Sequence, residues 1–274
     1  MPFTTITGGT PNVIGSTTFI IQGLHPDVAA GAALASSLGS PLTKTQIDNV
    51  NNFVLGAVAG GLWTKYKAVY LFVGGAANNH MINWKDPRNV DAAFRLSFVG
   101  GWTHDANGST PNGSTGYANT FFNTSTNFTS TTNASMSFYS GTNSNVGLPF
   151  DIGNSSGAIG TGNVCCLITR YSSNRAFAAF GGPTTLAASA ANTESRGLFM
   201  TNRNSGNTEM WWCRAAESQM TLAINSAETW TRNNLNLFIS TNNGAGSPDG
   251  TLFSNKRVQF VHFGDTLTAA EIQI

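Results

Sequence analysis

The sequence predicts a mainly β fold: an antiparallel jelly-roll β-sandwich preceded by an N-terminal strand and two short helices. Three observations carry that expectation. From Gly61 almost to the end, apolar residues alternate with polar ones at period two. The apolar runs are short and separated by Gly, Asn, Ser or Pro, as in sandwiches and jelly rolls, with no βαβ rhythm. The hydrophobic fraction of 41% is enough for a core, yet only 10% of residues are charged. The surface is therefore built mostly from Ser, Thr, Asn and Gln, which suits dense packing beside copies or a face toward sugars. Contacts between such neutral groups are not screened by salt.

The first element is a β-like run, "STTFIIQG", after a Gly/Pro/Thr-rich start. "HPDVAAGAALASSLGS" follows, with Pro26 suited to a first helical turn and Gly39 to a stop. In the next segment Thr43 and Gln46 form a capping box. Ile47, Val50, Val54, Ala57 and Val58 recur there at helical spacing, leaving Lys44, Asp48 and Asn51 outside. Gly60–Gly61 ends this second helix. Beyond it, "KAVYLFVGG" sets Val69, Leu71 and Val73 against Ala68, Tyr70 and Phe72, one set on each face. "AAFRLSFVGG" puts Phe94, Leu96 and Phe98 inward, and "NVCCLITR" is apolar on both faces, like a central strand. "RAFAAFGG", "RGLFMTNR", "EMWWCR", "QMTLAIN", "LNLFIST" and "RVQFVHFGD" complete the strands. A second capping box, Thr268 with Glu271, opens a short helix at the end. The organisation expected is an attachment segment over 1–60 and a sandwich over 61–274.

The stretch from Gly61 to Phe122, "GLWTKYKAVYLFVGGAANNHMINWKDPRNVDAAFRLSFVGGWTHDANGSTPNGSTGYANTFF", resembles a group of phage and prophage structural proteins. They carry a concanavalin A-like, laminin G-like jelly roll. The similarity continues through "SFYSGTNSN", "DIGN", "SRGLFMTNR" and "FGDTLTAAE", so it covers roughly 61–274. It implies a virion protein made in the host cytoplasm and exposed on the particle as a capsid decoration or a tail or fibre part. Its partners would be other copies of itself and other virion proteins. The N-terminal segment would be the attachment, with Ile47, Val50, Val54 and Val58 as the contact, or packed on their own sandwich. Such folds often hold calcium, for which Asp151, Asn154 and Asp265 are the oxygen-bearing candidates.

The alternative function is a carbohydrate-binding adhesion module for host-surface glycans. In "GGWTHDANGSTPNGSTGYANTFF" the simplest reading is strand, wide loop, strand, with Tyr117 or Phe121 returning to the core. Trp102 and Tyr117 could instead make a sugar-stacking platform, with Asp105, Asn107 and Asn112 bonding hydroxyls. Trp211 and Trp212 are adjacent in a strand and so face opposite sides, one in the core and the other, with Trp211 the choice, a sugar-stacking or subunit-contact candidate. The third reading, a polysaccharide-degrading enzyme, needs two flanking carboxylates. Yet none of Glu194, Glu209, Glu217, Glu228 and Glu271 has an acidic residue two positions away. No G-x-S-x-G elbow appears, and His25, His80, His104 and His262 lack zinc spacing, so no enzyme activity is expected. His262 reads as a core or sheet-face histidine.

Fourteen basic and 13 acidic residues are spread along the chain with net charge +1, leaving no basic run for nucleic acid. No apolar stretch approaches a membrane span, and "MPFTTITGG" lacks a secretory signal's pattern, so cytoplasmic synthesis is expected. Cys165, Cys166 and Cys213 have no disulfide framework and read as buried small hydrophobes.

Overall fold

A computed structural model of the chain describes residues 23–157, 162–181 and 189–274. The expected N-terminal strand over 16–23 lies outside them except for its last residue, Gly23. Two helices come first, α1 (Pro26–Ser37) and α2 (Lys44–Ala59). Pro26 opens α1, and Gly39, at φ 74°, follows its end. The Thr43–Gln46 capping box closes both ways at the start of α2.

The strands form two sheets that pack face to face, the jelly-roll type of sandwich that the alternation predicts. The front sheet runs β13 (Thr221–Ala227), β12 (Asn207–Arg214), β11 (Gly197–Asn204), β6 (Asn133–Ser140), β17 (Val258–Gly264). On the far side of β17 lie β1 (Tyr66–Leu71) and the hairpin β3 (Trp102–Asp105)–β4 (Gly108–Pro111). The back sheet runs β10 (Ser189–Ala191), β9 (Arg175–Gly181), β8 (Val164–Tyr171), β7 (Ile152–Ser155), β14 (Asn236–Ile239), β5 (Tyr117–Asn123), β2 (Ser97–Val99). The short β15 (Asn243–Gly244) pairs β16 (Ser247–Pro248) and runs parallel to β7; the other strand pairs named here are antiparallel. Three one-turn helices complete the set: α3 (Ala77–His80), α4 (Thr124–Asn127) and α5 (Ala269–Ile272).

Alternation sorts the side chains into two cores. Between the sheets lie Ala68, Tyr70, Phe72, Phe122, Phe138, Phe180, Phe199, Trp212 and Phe263. On the outer face of the front sheet, Val69, Met200 and Met220 pack with Val28, Val50 and Val54 from the helices. Hence β1 is apolar on both faces, as "KAVYLFV" indicates. Gly31 is the close approach of α1, since a Cβ there would sit 2.5 Å from the Trp84 ring. The helices thus share a core with the sandwich, and the expected boundary at residue 60 does not divide two cores. Asn51, expected outside, is buried, and its Oδ1 accepts the His25 N–H at 2.8 Å.

Two local readings change. "AAFRLSFV" is not one strand: a 3₁₀ turn, Asp91–Ala93, ends on Phe94 at φ 57°, and β2 begins only at Ser97. In β5 the core positions are Ala118, Thr120 and Phe122, not Tyr117 or Phe121. Period two then sends Tyr117 to the outer face of the back sheet, where it stacks on Phe238 at 4.8 Å. Cys165 and Cys166 are fully buried on β8 and Cys213 is half-buried; none is bonded to another.

One ion pair ties the layers together. Asp151, just before β7, and Lys256, just before β17, are both fully buried, with Nζ 3.0 and 3.1 Å from the two carboxylate oxygens. The carboxylate also accepts from Thr169 N–H and Oγ1 and from Ser254 Oγ, and Lys256 donates to Arg170 O at 2.9 Å. Burial pulls the Lys256 amine down from its usual range, and Asp151 opposes that shift. Lys256→Met leaves Asp151 as an uncompensated buried charge and is expected to cost about 3–5 kcal/mol. The Asp151→Leu/Lys256→Met double variant should recover most of that loss in urea unfolding.

Candidate functional site

The outer face of the front sheet carries a groove where the helices do not cover it. It consists of two adjoining hollows of about 540 and 740 Å³ that share Tyr139, Leu198, Ile272 and Ile274 as walls. The first runs under Phe53 and Gly56 of α2, with Leu71, Met200 and Phe260 from three strands of the sheet. The second lies toward Cys213, Arg214, Glu217 and Met220. Along each strand every other side chain points this way, so the lining follows from the same alternation that fills the inner core. Tyr139 is 39% exposed and Ile274 69%.

The few polar groups in the groove floor are satisfied. His262 on β17 is fully buried between Ser135 and Ser137 of β6. Ser135 Oγ donates to Asp265 O at 2.7 Å, so it accepts from His262 Nε2–H at 3.0 Å. The hydrogen-bond network thereby assigns the tautomer: Nδ1 keeps a lone pair for the Ser137 hydroxyl. Burial pushes the imidazole down to about 3, so it is neutral at ordinary pH. It is the sheet-face histidine expected from the sequence.

At the edges of the groove, Lys65 pairs with Glu271 at 2.7 Å and Arg214 with Glu217 at 2.5 Å. Hydrogen bonds from those cations hold both carboxyls below their usual range. The second capping box, Thr268 with Glu271, forms in α5 and fixes Glu271 there. The lining is thus apolar, with its charges already paired, and it suits apolar protein surface better than an ion.

The contact residues expected on α2 separate. Val50 and Val54 are buried against their own sheet and are unavailable to a neighbour, because the helix uses its apolar stripe inside the chain. Ile47 is half-buried on the same cluster, and Val58 is 44% exposed.

The expected glycan platform is spent on the chain itself. "GGWTHDANGSTPNGSTG" is not one wide loop; it contains the hairpin β3–β4, which crosses to the front sheet before β5 returns to the back sheet. Trp102 Nε1 donates to Val99 O and Tyr117 O, and its ring lies 5.1 Å from Phe98. Asp105 accepts from Asn107 N–H and pairs with Arg257 at 3.0 Å. Asn112 Oδ1 accepts three backbone N–H groups, from Ser114, Thr115 and Gly116. Trp211 is half-buried on the outer-face cluster, its Nε1 donating to Glu209 at 3.0 Å, while Trp212 turns inward, as the alternation requires.

The calcium candidates do not form one site. The Lys256 ammonium already sits where a cation would lie on Asp151. Asn154 bonds Thr124, Asn233 and Leu235 O, and Asp265 bonds Lys67 and Thr129. Among the described residues, no group of three or more His, Cys, Asp and Glu is placed to hold a metal ion. None of their helices is long and apolar enough to cross a membrane.

Sequence reading missed the groove because its walls come from segments scattered along the chain from α2 to α5. The signal that could have shown it was the surplus of apolar residues on the outer face of "GLFM" and "QFVHF".

No family model and no curated protein matches the chain. Among solved structures it is similar to Trypanosoma rangeli sialidase. With 2,3-difluorosialic acid bound, that structure aligns at TM-score 0.39 and 13% identity, over 66% of this chain and 29% of the sialidase. With the inhibitor DANA bound, the same sialidase aligns at TM-score 0.36 and 13% identity, over 65% and 28%. The chain therefore spans less than a third of that protein's length.

Trp102→Ala is expected to lower stability by about 2–3 kcal/mol through lost packing, read as a lower urea midpoint. Adding calcium or EDTA should leave the thermal midpoint where it is.

Proposed function

We propose that the chain is a structural component of a phage particle, an exposed capsid decoration or tail or fibre part that acts by multi-copy assembly rather than catalysis. The observation that carries this reading is the apolar groove on the outer front sheet, with Tyr139 exposed beside it. An apolar surface of this kind gains from being covered by another protein, at roughly 25 cal/mol per Å² removed from water. The resemblance of residues 61–274 to phage structural proteins supports the same reading. So does a surface of neutral amides and hydroxyls, whose contacts survive changes in salt.

The helices do not serve as a detachable anchor in this reading, since Val50 and Val54 are already buried in the chain. The contact with other copies or virion proteins passes instead through the groove. Glycan adhesion is not the favoured reading, because Trp102, Asp105 and Asn112 are engaged internally.

The test is antibody labelling of purified particles by electron microscopy. Regular label on the shell places the protein on the head, and label on an appendage places it on the tail or fibre. Soluble protein with no particle labelled would overturn the structural reading. A Tyr139→Arg variant should fold with its unfolding midpoint nearly unchanged and enter particles at least roughly tenfold less. Equal incorporation would remove the groove from the assembly contact.

A further inference from the structure

The β3–β4 hairpin is attached to the front sheet by little backbone. Its ladder to β17 has one paired position, Ser109 with Val258. Side chains supply the rest. His80, at the end of α3, is fully buried, and its Nδ1 lies 2.6 Å from Ser109 Oγ and 3.0 Å from His104 Nδ1. Ser109 Oγ is 2.8 Å from His104 Nδ1. Atoms from α3 and both hairpin strands thus meet within hydrogen-bond distance.

The protons in this cluster can be assigned. Gly75 N–H donates to His80 Nε2 at 3.3 Å, so that nitrogen holds a lone pair and the ring proton sits on Nδ1. His80 Nδ1–H then donates to Ser109 Oγ, and the Ser109 hydroxyl donates to His104 Nδ1. Each proton is used once, and only when both rings are neutral. A further proton on His80 would point at the Gly75 N–H, and one on His104 would face the Ser109 hydroxyl proton. Gly75, at φ 78°, also lies against the hairpin turn: a Cβ there would be 3.2 Å from Ala106 N.

We propose that the His80–Ser109–His104 chain is an acid-sensitive clasp, which holds the hairpin at neutral pH and releases it on acidification while the sandwich stays folded. The groups around it are the rings of Phe72, Phe98 and Trp102, and Asp105, which is paired with Arg257. Asp105 favours a charged His80, but burial and the neighbouring His104 outweigh it and push His80 down from 6.5 to about 4. Burial pushes His104 down as well. An opened hairpin returns these rings to their ordinary range, so protons bind the open form better. The clasp's contribution is complete above about pH 6.5 and is lost as pH falls toward about 4. The His80 shift alone changes the ratio of open to closed hairpin by roughly 10²-fold. The hairpin keeps other side-chain ties: Arg257 to Asp105 and Thr110, Gln259 to Asn107 O, and Trp102 to Tyr117 O.

The test is hydrogen-exchange protection of the 103–110 amides, compared with the centre of β11–β12, from pH 7 to pH 4.5. Hairpin protection should fall at least roughly tenfold while β11–β12 holds. A His80→Gln/His104→Gln double variant should show no such fall. Hairpin protection that stays flat, or falls together with the whole sandwich, overturns the clasp. So does a double variant that behaves like the wild type. If the double variant does not fold, NMR titration of His80 in the wild-type chain decides. Protonation below pH 5 together with hairpin opening supports the clasp, and titration near 6.5 with the hairpin closed overturns it.

Discussion

The buried pair of Asp151 and Lys256 is the constraint on which the sandwich depends. Two charges without solvent are tolerated only when every hydrogen-bonding position around them is filled. Here Thr169, Ser254 and the Arg170 carbonyl fill those positions. These partners come from β8 and from the segment entering β17, on opposite sheets. The pair is therefore geometrically selective: a sheet that slid by one residue would strand a charge and turn every alternating side chain to the wrong face. Packing between Phe138, Phe180 and Phe199 supplies apolar burial, whereas the ion pair specifies where the two sheets must sit.

A second constraint follows from the front sheet being apolar on both faces. Sandwich sheets commonly leave one face to water. Here α1 and α2 take part of the outer face, which explains why β1 carries Val69 and Leu71 opposite Tyr70. The helices cover one portion and α5 reaches another, and the groove is what lies between them. The surface most suited to a partner is thus a by-product of incomplete coverage. This also explains why the stripe Val50–Val54 belongs to the chain's own interior.

Much of the fold could be read from the sequence because it is written in local patterns. Period-two alternation, both capping boxes and the Gly stops each depend on neighbours a few residues apart. Phe94 shows where that logic fails: the alternation of "AAFRLSF" fits a strand, but a left-handed residue interrupts it. The candidate sites were far less accessible. Asp151 looked like an oxygen ligand because its cation, Lys256, lies more than a hundred residues away. Trp102 and Asn112 looked free because their partners, carbonyls and N–H groups of the backbone, carry no signature in a side-chain string. The meeting of His80 with His104 and Ser109 depends on a crossing between sheets, which no spacing rule records.

The three cysteines, finally, make the molecule its own recorder of opening events. Cys165 and Cys166 sit where burial raises the thiols far out of their reactive range. Adjacent on β8, they face opposite sides of the back sheet, so a thiol reagent reaches both only when β8 loses its cover on each face. Cys213, half-buried beside the groove and donating to Glu217 O, needs only a local movement of that wall. Alkylation at one position therefore clocks breathing of the groove, and alkylation at the other two clocks global unfolding, without any added label.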